Sequence, residues 1–252
     1  MRILISPAKK MREDLDSLAP EGLPLFLKEA EQLKKVLQAM PPQDLKALWK
    51  CNDAIAALNV ERLADMDLHS RLTPAILAYE GIQYRYMAPG VFTAQQLDYI
   101  REHLRILSGF YGLLRPFDGV RPYRLEMQAK LAAAGHRDLY HFWGSKLADT
   151  LAGECRWVLN LASKEYSRAV APHLPAGLPM VTCIFGSEET GRVVEKGTLC
   201  KMARGEMVRW LAEHQVTDLK QLPQFQELGY RFSPDHSTQT ELVFLQTQTG
   251  GS

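Results

Sequence analysis

Residues able to grip or polarise an anion recur in four stretches of this sequence. In the first, Ser6-Pro7-Ala8-Lys9-Lys10, a hydroxyl and two ammonium groups follow a short apolar run, which suits an anion at a sheet edge or cleft. The second, Leu107 to Met127, reads LSGFYGLLRPFDGVRPYRLEM. Gly109, Gly112 and Gly119 free its backbone, and Pro116 and Pro122 forbid a long helix. It reads as an ordered, irregular surface presenting Arg115, Arg121, Arg124, Tyr111 and Tyr123. It also suits a connecting loop whose arginines are solvated or paired with Asp118 and Glu126. The third is Asn160 to Tyr166, NLASKEY, where amides at a helix start can face an anion. The fourth is Lys201 to Arg209, KMARGEMVR. Pure phosphate binding needs little beyond Lys and Arg. Ser6, Tyr111, Asn160, Ser163, Glu165 and Tyr166 add groups suited to acid–base or nucleophilic work. Ordinary hydrogen bonding is the plainer account of each, with Asn160 and Ser163 capping the next helix.

The elements that must position these residues follow from periodicity. Arg2 to Ser6 is short, apolar and branched, as a buried strand would be. Leu25 to Ala39 predicts a helix burying Phe26, Ala30, Leu33 and Leu37. Pro41-Pro42 breaks it, and Gln43 to Leu58 predicts a second helix with Leu45, Leu48, Trp49 and Ile55 inward. Ala75 to Tyr79 reads as a strand ended by Gly81. Thr93 with Gln96 forms a capping box opening a helix whose stripe is Leu97, Ile100, Leu104 and Leu107, flanked by Arg101 and Arg105. Leu139 to Leu151 predicts a helix with Phe142 and Trp143 in the core. Trp157 to Ala162 and Leu178 to Phe185 read as strands. Val193 to Lys201 reads as a strand entering a helix that runs to about His214. Leu228 to Phe232 and Glu241 to Gln246 read as closing strands.

These elements predict one α/β domain with a mixed sheet over 1–247, since strands from both chain ends are needed to complete it. The tail 248–252, ending Gly-Gly-Ser, is expected to be an appended remnant. Neither GxGxxG nor GxxxxGK[ST] is present, which argues against a Rossmann or P-loop protein. At 252 residues and 46% hydrophobic, the chain can bury a sizeable core. The net charge of +1 leaves a polyanion partner open, because local excesses decide binding. Six Lys/Arg face three Asp/Glu between Arg101 and Lys130, and five face two between Arg192 and Arg209. Four scattered cysteines without a CxxC pair, and no secretory signal core, predict a reduced, cytoplasmic protein without a membrane span. Seven scattered histidines with no HExxH arrangement predict no metal site and no cofactor.

Taken in order, Ser6-Pro7-Ala8-Lys9, LSGFYGLLRPFD, PYRLEM, Leu139 to Trp143, NLASKEY, KMARGEMVR and Gly229 to Phe232 resemble the YaaA family of bacterial peroxide-stress proteins. The likeness covers nearly the whole chain, with Met11 to Leu72 matching only in pattern. It implies a compact domain of unusual topology, a mixed sheet surrounded by helices, with a basic cleft. It implies binding of double-stranded and structured DNA without marked sequence preference, lower free iron and less DNA damage under peroxide. It also implies a helix-hairpin-helix element, whose turn would offer glycine amides to a phosphate. The helix after Thr93 followed by Gly109 and Gly112 is one placement, and the helical hairpin around Pro41-Pro42 the other.

The leading expectation is a DNA-binding protein. Its phosphate contacts would come from Ser6, Lys9, Lys10, Gly109, Gly112, Arg115, Arg124, Ser163, Lys201, Arg204 and Arg209. Tyr111 or Tyr123 would stack on an unpaired base, worth roughly 1–3 kcal/mol per base. The alternative is an enzyme acting on a nucleotide, nucleobase or DNA end in the same cleft. Its catalytic candidates are Lys9 for charge stabilisation, Glu165 as acid or base, Tyr111 and Asn160, with Arg115 or Arg204 holding phosphate. Direct iron storage is disfavoured, because no Glu-x-x-His pair occurs.

Overall fold

The computed structural model describes residues 1–246. Residue 247 and the expected tail lie outside the described residues. The first strand, β1 (Arg2–Ile5), sits inside the sheet, and Ile3, Leu4 and Ile5 are wholly buried. An all-apolar run is what a strand flanked by parallel neighbours requires. The chain then forms β2 (Lys10–Met11), β3 (Thr73–Pro74) and β4 (Tyr79–Glu80). Next come β5 (Leu104–Ser108), β6 (Gly112–Leu114), β7 (Gly119–Val120) and β8 (Val158–Asn160). Last are β9 (Met180–Glu189), β10 (Arg192–Val194), β11 (Tyr230–Phe232) and β12 (Glu241–Gln246).

The main sheet runs β11-β12-β9-β8-β1-β5-β6, with β10 paired to β9. The five strands from β12 to β5 are parallel, while β6, β10 and β11 pair antiparallel. The sheet is therefore mixed, as expected. From β1 the chain goes to β5 on one side, then crosses to β8 on the other and continues to β9. The strand order thus reverses between β1 and β8, and a crevice opens beyond their carboxyl ends, where open α/β sheets bind ligands.

The helices are α1 (Leu27–Gln38), α2 (Pro42–Trp49), α3 (Asp53–Ala64), α4 (Ala75–Ala78) and α5 (Ile82–Met87). They continue as α6 (Ala94–His103), α7 (Leu139–Trp143), α8 (Lys146–Glu154), α9 (Lys164–Ser167) and α10 (Gly197–Glu213). The first helix and the Thr93–Gln96 capping box match expectation. The expected second helix is two, because Lys50 turns left-handed after Trp49 and Asn52 caps a new start. Gly144, at φ +49°, likewise splits the helix expected from Leu139. Ala75–Ala78 is a helical turn, not a strand, and the Val193 strand ends at Val194. The helix after Thr93 stops at His103, so Leu104, Arg105 and Leu107 belong to β5.

The Leu107–Met127 stretch corrects the expectation of a presenting surface. Nearly all of it is buried, and only Arg115 is exposed. It forms the β5–β6 hairpin and the short ladder of β7 on β3. Gly109 and Gly112 serve packing. A Cβ on Gly109 would lie 2.6 Å from the Leu125 carbonyl, and one on Gly112, at φ +74°, would meet the Trp143 ring. Their amides are inside the protein, so the helix-hairpin-helix placement at these glycines fails.

Backbone approaches backbone closely between α10 and α5. A Cβ on Gly205 would lie 2.0 Å from the Gln83 carbonyl oxygen. Gly205→Ala must therefore part the two helices, an expected loss of about 3 kcal/mol in urea denaturation. Gly153, exposed in α8 with open space around its Cα, is the control. Gly153→Ala should leave stability unchanged or raise it by about 0.5 kcal/mol.

Candidate functional site

The crevice at the β1/β8 switch point is a cavity of about 390 Å³. Its wall comes from four distant segments: Ser6 to Lys10 after β1, Glu80 to Tyr84 around α5, Ser163 to Tyr166 at α9, and Lys201 and Arg204 on α10, with Glu126 closing one side. The parallel register sets Leu4 opposite Asn160, so the two strands end side by side. Ser6 Oγ accepts from the Ser163 amide at 2.9 Å and donates to Ser163 Oγ at 3.3 Å. The Ser6 carbonyl accepts from Tyr84 Oη at 3.1 Å, tying α5 to the end of β1.

Each cation but one meets a carboxylate. Lys9 Nζ lies 2.9 Å from Glu126, and Lys10 Nζ lies 2.9 Å from Glu80, its direct partner across the β2–β4 ladder. Arg204 Nη2 lies 3.2 Å from Glu195, while its Nε is buried without an acceptor. Lys201 is exposed and has no carboxylate partner among the described residues. The half-buried Glu165 carboxyl is pushed up by burial. The Gln128 amide, 3.3 Å away, holds it down, the nearby Glu126 charge pushes it up again and Lys9 opposes. Burial of this kind favours the neutral form of a carboxyl.

Of the residues singled out from sequence, Ser6, Lys9, Lys10, Ser163, Glu165, Lys201 and Arg204 converge here. Tyr166 lines the cavity too, and the others do not. Tyr111 is a core residue whose hydroxyl accepts from the Arg121 amide at 3.0 Å, and burial raises its pKa. Tyr123 is equally enclosed, hydrogen-bonded to Ser108 and Tyr79, so the expected stacking of either ring on a base is overturned. Asn160 is buried behind the site. Its Oδ1 accepts from the Ala162 amide and its Nδ2 donates to Thr182, shaping the turn that delivers Ser163. Arg124 lies behind Lys9, 3.6 Å from Glu126, and donates to the Trp49 carbonyl at 3.4 Å. Arg209 pairs with Glu213 on the same helix. Ser163 stands at the N-cap of α9 but its side chain makes no capping hydrogen bond, and a helix of four residues has little terminal field to offer an anion. Arg115 lines a separate cavity of about 340 Å³ with Arg101, Arg105 and Asp118.

Sequence reading missed Glu80, Gln83, Tyr84 and Glu195. Gly81 alone marked the Glu80–Tyr84 segment, and nothing in a run of helical spacing announces that its polar members face a cavity. Among the described residues, no group of three or more His, Cys, Asp or Glu side chains could hold a metal ion, and no helix is long and apolar enough to cross a membrane.

The sheet and site define an α/β protein with a cation-rimmed cavity at a strand-order reversal, assembled from segments spread over the whole chain. Sequence comparison gives the family. The model for the peroxide stress protein YaaA matches residues 1–236. The UPF0246 protein DSY0297 of Desulfitobacterium hafniense is 52% identical over 245 residues, 97% of this chain and 98% of that one. The UPF0246 proteins of Pediococcus pentosaceus and Lachnoclostridium phytofermentans are 51% and 49% identical, covering 98% and 99% of this chain and 99% and 98% of their own lengths. This chain belongs to the YaaA family of peroxide stress proteins, and that membership associates it with the peroxide stress response.

The second cavity carries its own titration. Asp118 Oδ2 accepts from the Arg115 amide at 2.8 Å, and burial pushes the Asp118 carboxyl from 3.8 up to about 6. A carboxyl that holds its proton more tightly when folded supports the fold below its unfolded value. That support fades as pH rises through the folded value. Between about pH 4 and pH 6, wild-type stability should fall by at most about 3 kcal/mol relative to Asp118→Asn. Urea titrations of both proteins across that range check it, and parallel curves would contradict the shift.

Proposed function

We propose that this protein binds double-stranded and structured DNA without marked sequence preference, and so limits DNA damage under peroxide. The observation that carries the reading is the gathering of Lys9, Lys10, Lys201 and Arg204 at one cavity, although they are nearly two hundred residues apart. Their contacts with phosphate would be sequence-blind and would release counterions. The competing carboxylates Glu80 and Glu126 sit beside exposed lysines, and exposed ion pairs of this kind are weak enough for a polyanion to displace. The family's association with peroxide stress supports the same reading.

One observation favours a second reading, an enzyme acting on a nucleotide, nucleobase or DNA end. The Glu165 carboxyl, pushed up by burial, faces the same cavity as Ser6, Ser163 and Lys9. It would serve as acid or base, Lys9 would stabilise negative charge, and Arg204 would hold phosphate.

DNA affinity measured by gel shift should fall steeply with salt. Lys201→Ala should weaken all sequences alike and flatten the log–log salt slope by about 1. Arg115→Ala, in the other cavity, should leave that slope unchanged. Salt-independent binding, or a larger loss in Arg115→Ala than in Lys201→Ala, would place DNA elsewhere.

A further inference from the structure

The cavity at the switch point is too small for a duplex, which could only lie across its mouth, but its volume falls within the range of small-ligand sites. Three of its polar groups lack partners inside the protein. Gln83 is only 7% exposed, yet its Nε2 has no acceptor among the described residues. Arg204 Nε is buried in the same condition, and Lys201 has no carboxylate. Buried donors left without acceptors are rare, and each needs an explanation. Ser163 Oγ accepts its hydrogen bond from Ser6, which leaves its own proton to give away. Between these groups the wall is apolar, formed by Pro7, Ala8 and Ile82.

We propose that this cavity binds one nucleotide unit, a heterocyclic base with its phosphate, taken either as a free nucleotide or as an extrahelical residue of DNA. This rests on the DNA-binding reading only for the second source. A carboxamide offers a donor and an acceptor side by side, which matches the polar edge of a base. The Pro7, Ala8 and Ile82 side chains give a flat ring an apolar surface. Lys201 and Arg204 stand on one helix face, three residues apart, and would take the phosphate. Glu165, on the same wall, adds a carboxyl oxygen that can accept from an amino group of the base. Flipping a base into such a pocket costs least where it is already unpaired, so structured DNA would be preferred over perfect duplex.

The test uses the full chain, the four deoxynucleoside monophosphates, the matching nucleosides and inorganic phosphate, by calorimetry. At least one nucleotide should bind, and its nucleoside and phosphate alone should bind about tenfold or more weakly. Lys201→Met should cost the nucleotide about tenfold and leave the nucleoside unchanged. Gln83→Met should alter the ranking of bases while thermal melting shows the protein still folded. A second arm uses duplexes carrying a fluorescent adenine analogue that brightens on unstacking, either fully paired or unpaired at that position. Brightening with the unpaired duplex, lost in Gln83→Met, assigns the pocket to DNA. Nucleotide binding without brightening assigns it to a free nucleotide. DNA binding with neither effect overturns the pocket and leaves the DNA reading standing. Nucleotide binding without any DNA binding overturns the DNA reading and leaves the pocket standing.

Discussion

The register between β1 and β8 is the constraint on which the site depends. Leu4 pairs with Asn160, and the Leu161 amide donates to the Leu4 carbonyl at 2.8 Å. That last bond carries the ladder one step beyond the strand and stops it beside Ser6. Two parallel strands with their neighbours' connections running opposite ways cannot close the space beyond their ends, so a crevice is forced by topology. The Ser163 amide on Ser6 Oγ then locks the floor. A slip of one residue would turn Ile3 and Ile5 toward the face now occupied by Leu4 and separate the two serines. Three wholly buried apolar side chains in β1 make that slip costly.

The cavity is not a simple basic surface. Four cations share its wall with Glu80, Glu126 and Glu165, and Glu195 holds Arg204 from outside. Glu126 and Glu80 come from segments other than those of Lys9 and Lys10, so each of those pairs also fastens two parts of the chain. The exposed lysine pairs have high-dielectric surroundings and little net strength, whereas Arg204, with its side chain 14% exposed, is held more firmly. On the proposed reading, an incoming anion would meet a graded set of contacts. Lys201 is free at once, Lys9 and Lys10 follow on breaking weak pairs, and Arg204 Nε is already unpartnered.

Much of this was legible in the sequence, and what was not has physical reasons. The helix at Thr93, the strand at Glu241 and the apolar first strand were local signals with one dominant cause each. Ser6, Lys9 and Glu165 were legible as polar residues at element ends, and Arg204 as a cation in a locally basic stretch. The glycine- and arginine-rich stretch misled because Gly109 and Gly112 have the same letter whether they free a loop or make room for Leu125 and Trp143. Its arginines misled in a second way. Arg121, buried, is held by Glu13 and the Arg71 carbonyl, partners that no local pattern announces. Gln83 was invisible for a third reason: a glutamine on a short helix acquires meaning only when Gly205 lets a distant helix press against its backbone.

The link to peroxide bears on how such a site could serve. A thiol reacts with peroxide as its thiolate, and burial works against that form. Cys183 is pushed up to about 12 by burial, and the Cys155 and Cys200 thiols are raised by the same cause. Cys200 also spends its proton on the Phe185 carbonyl at 3.0 Å. Three of the four cysteines are thus poorly placed to sense or destroy peroxide directly. The switch-point cavity, by contrast, gathers the cations that the proposed anionic partner would meet. On the proposed reading, the chemistry of that partner, rather than that of these three thiols, is where the family's stress role should be sought.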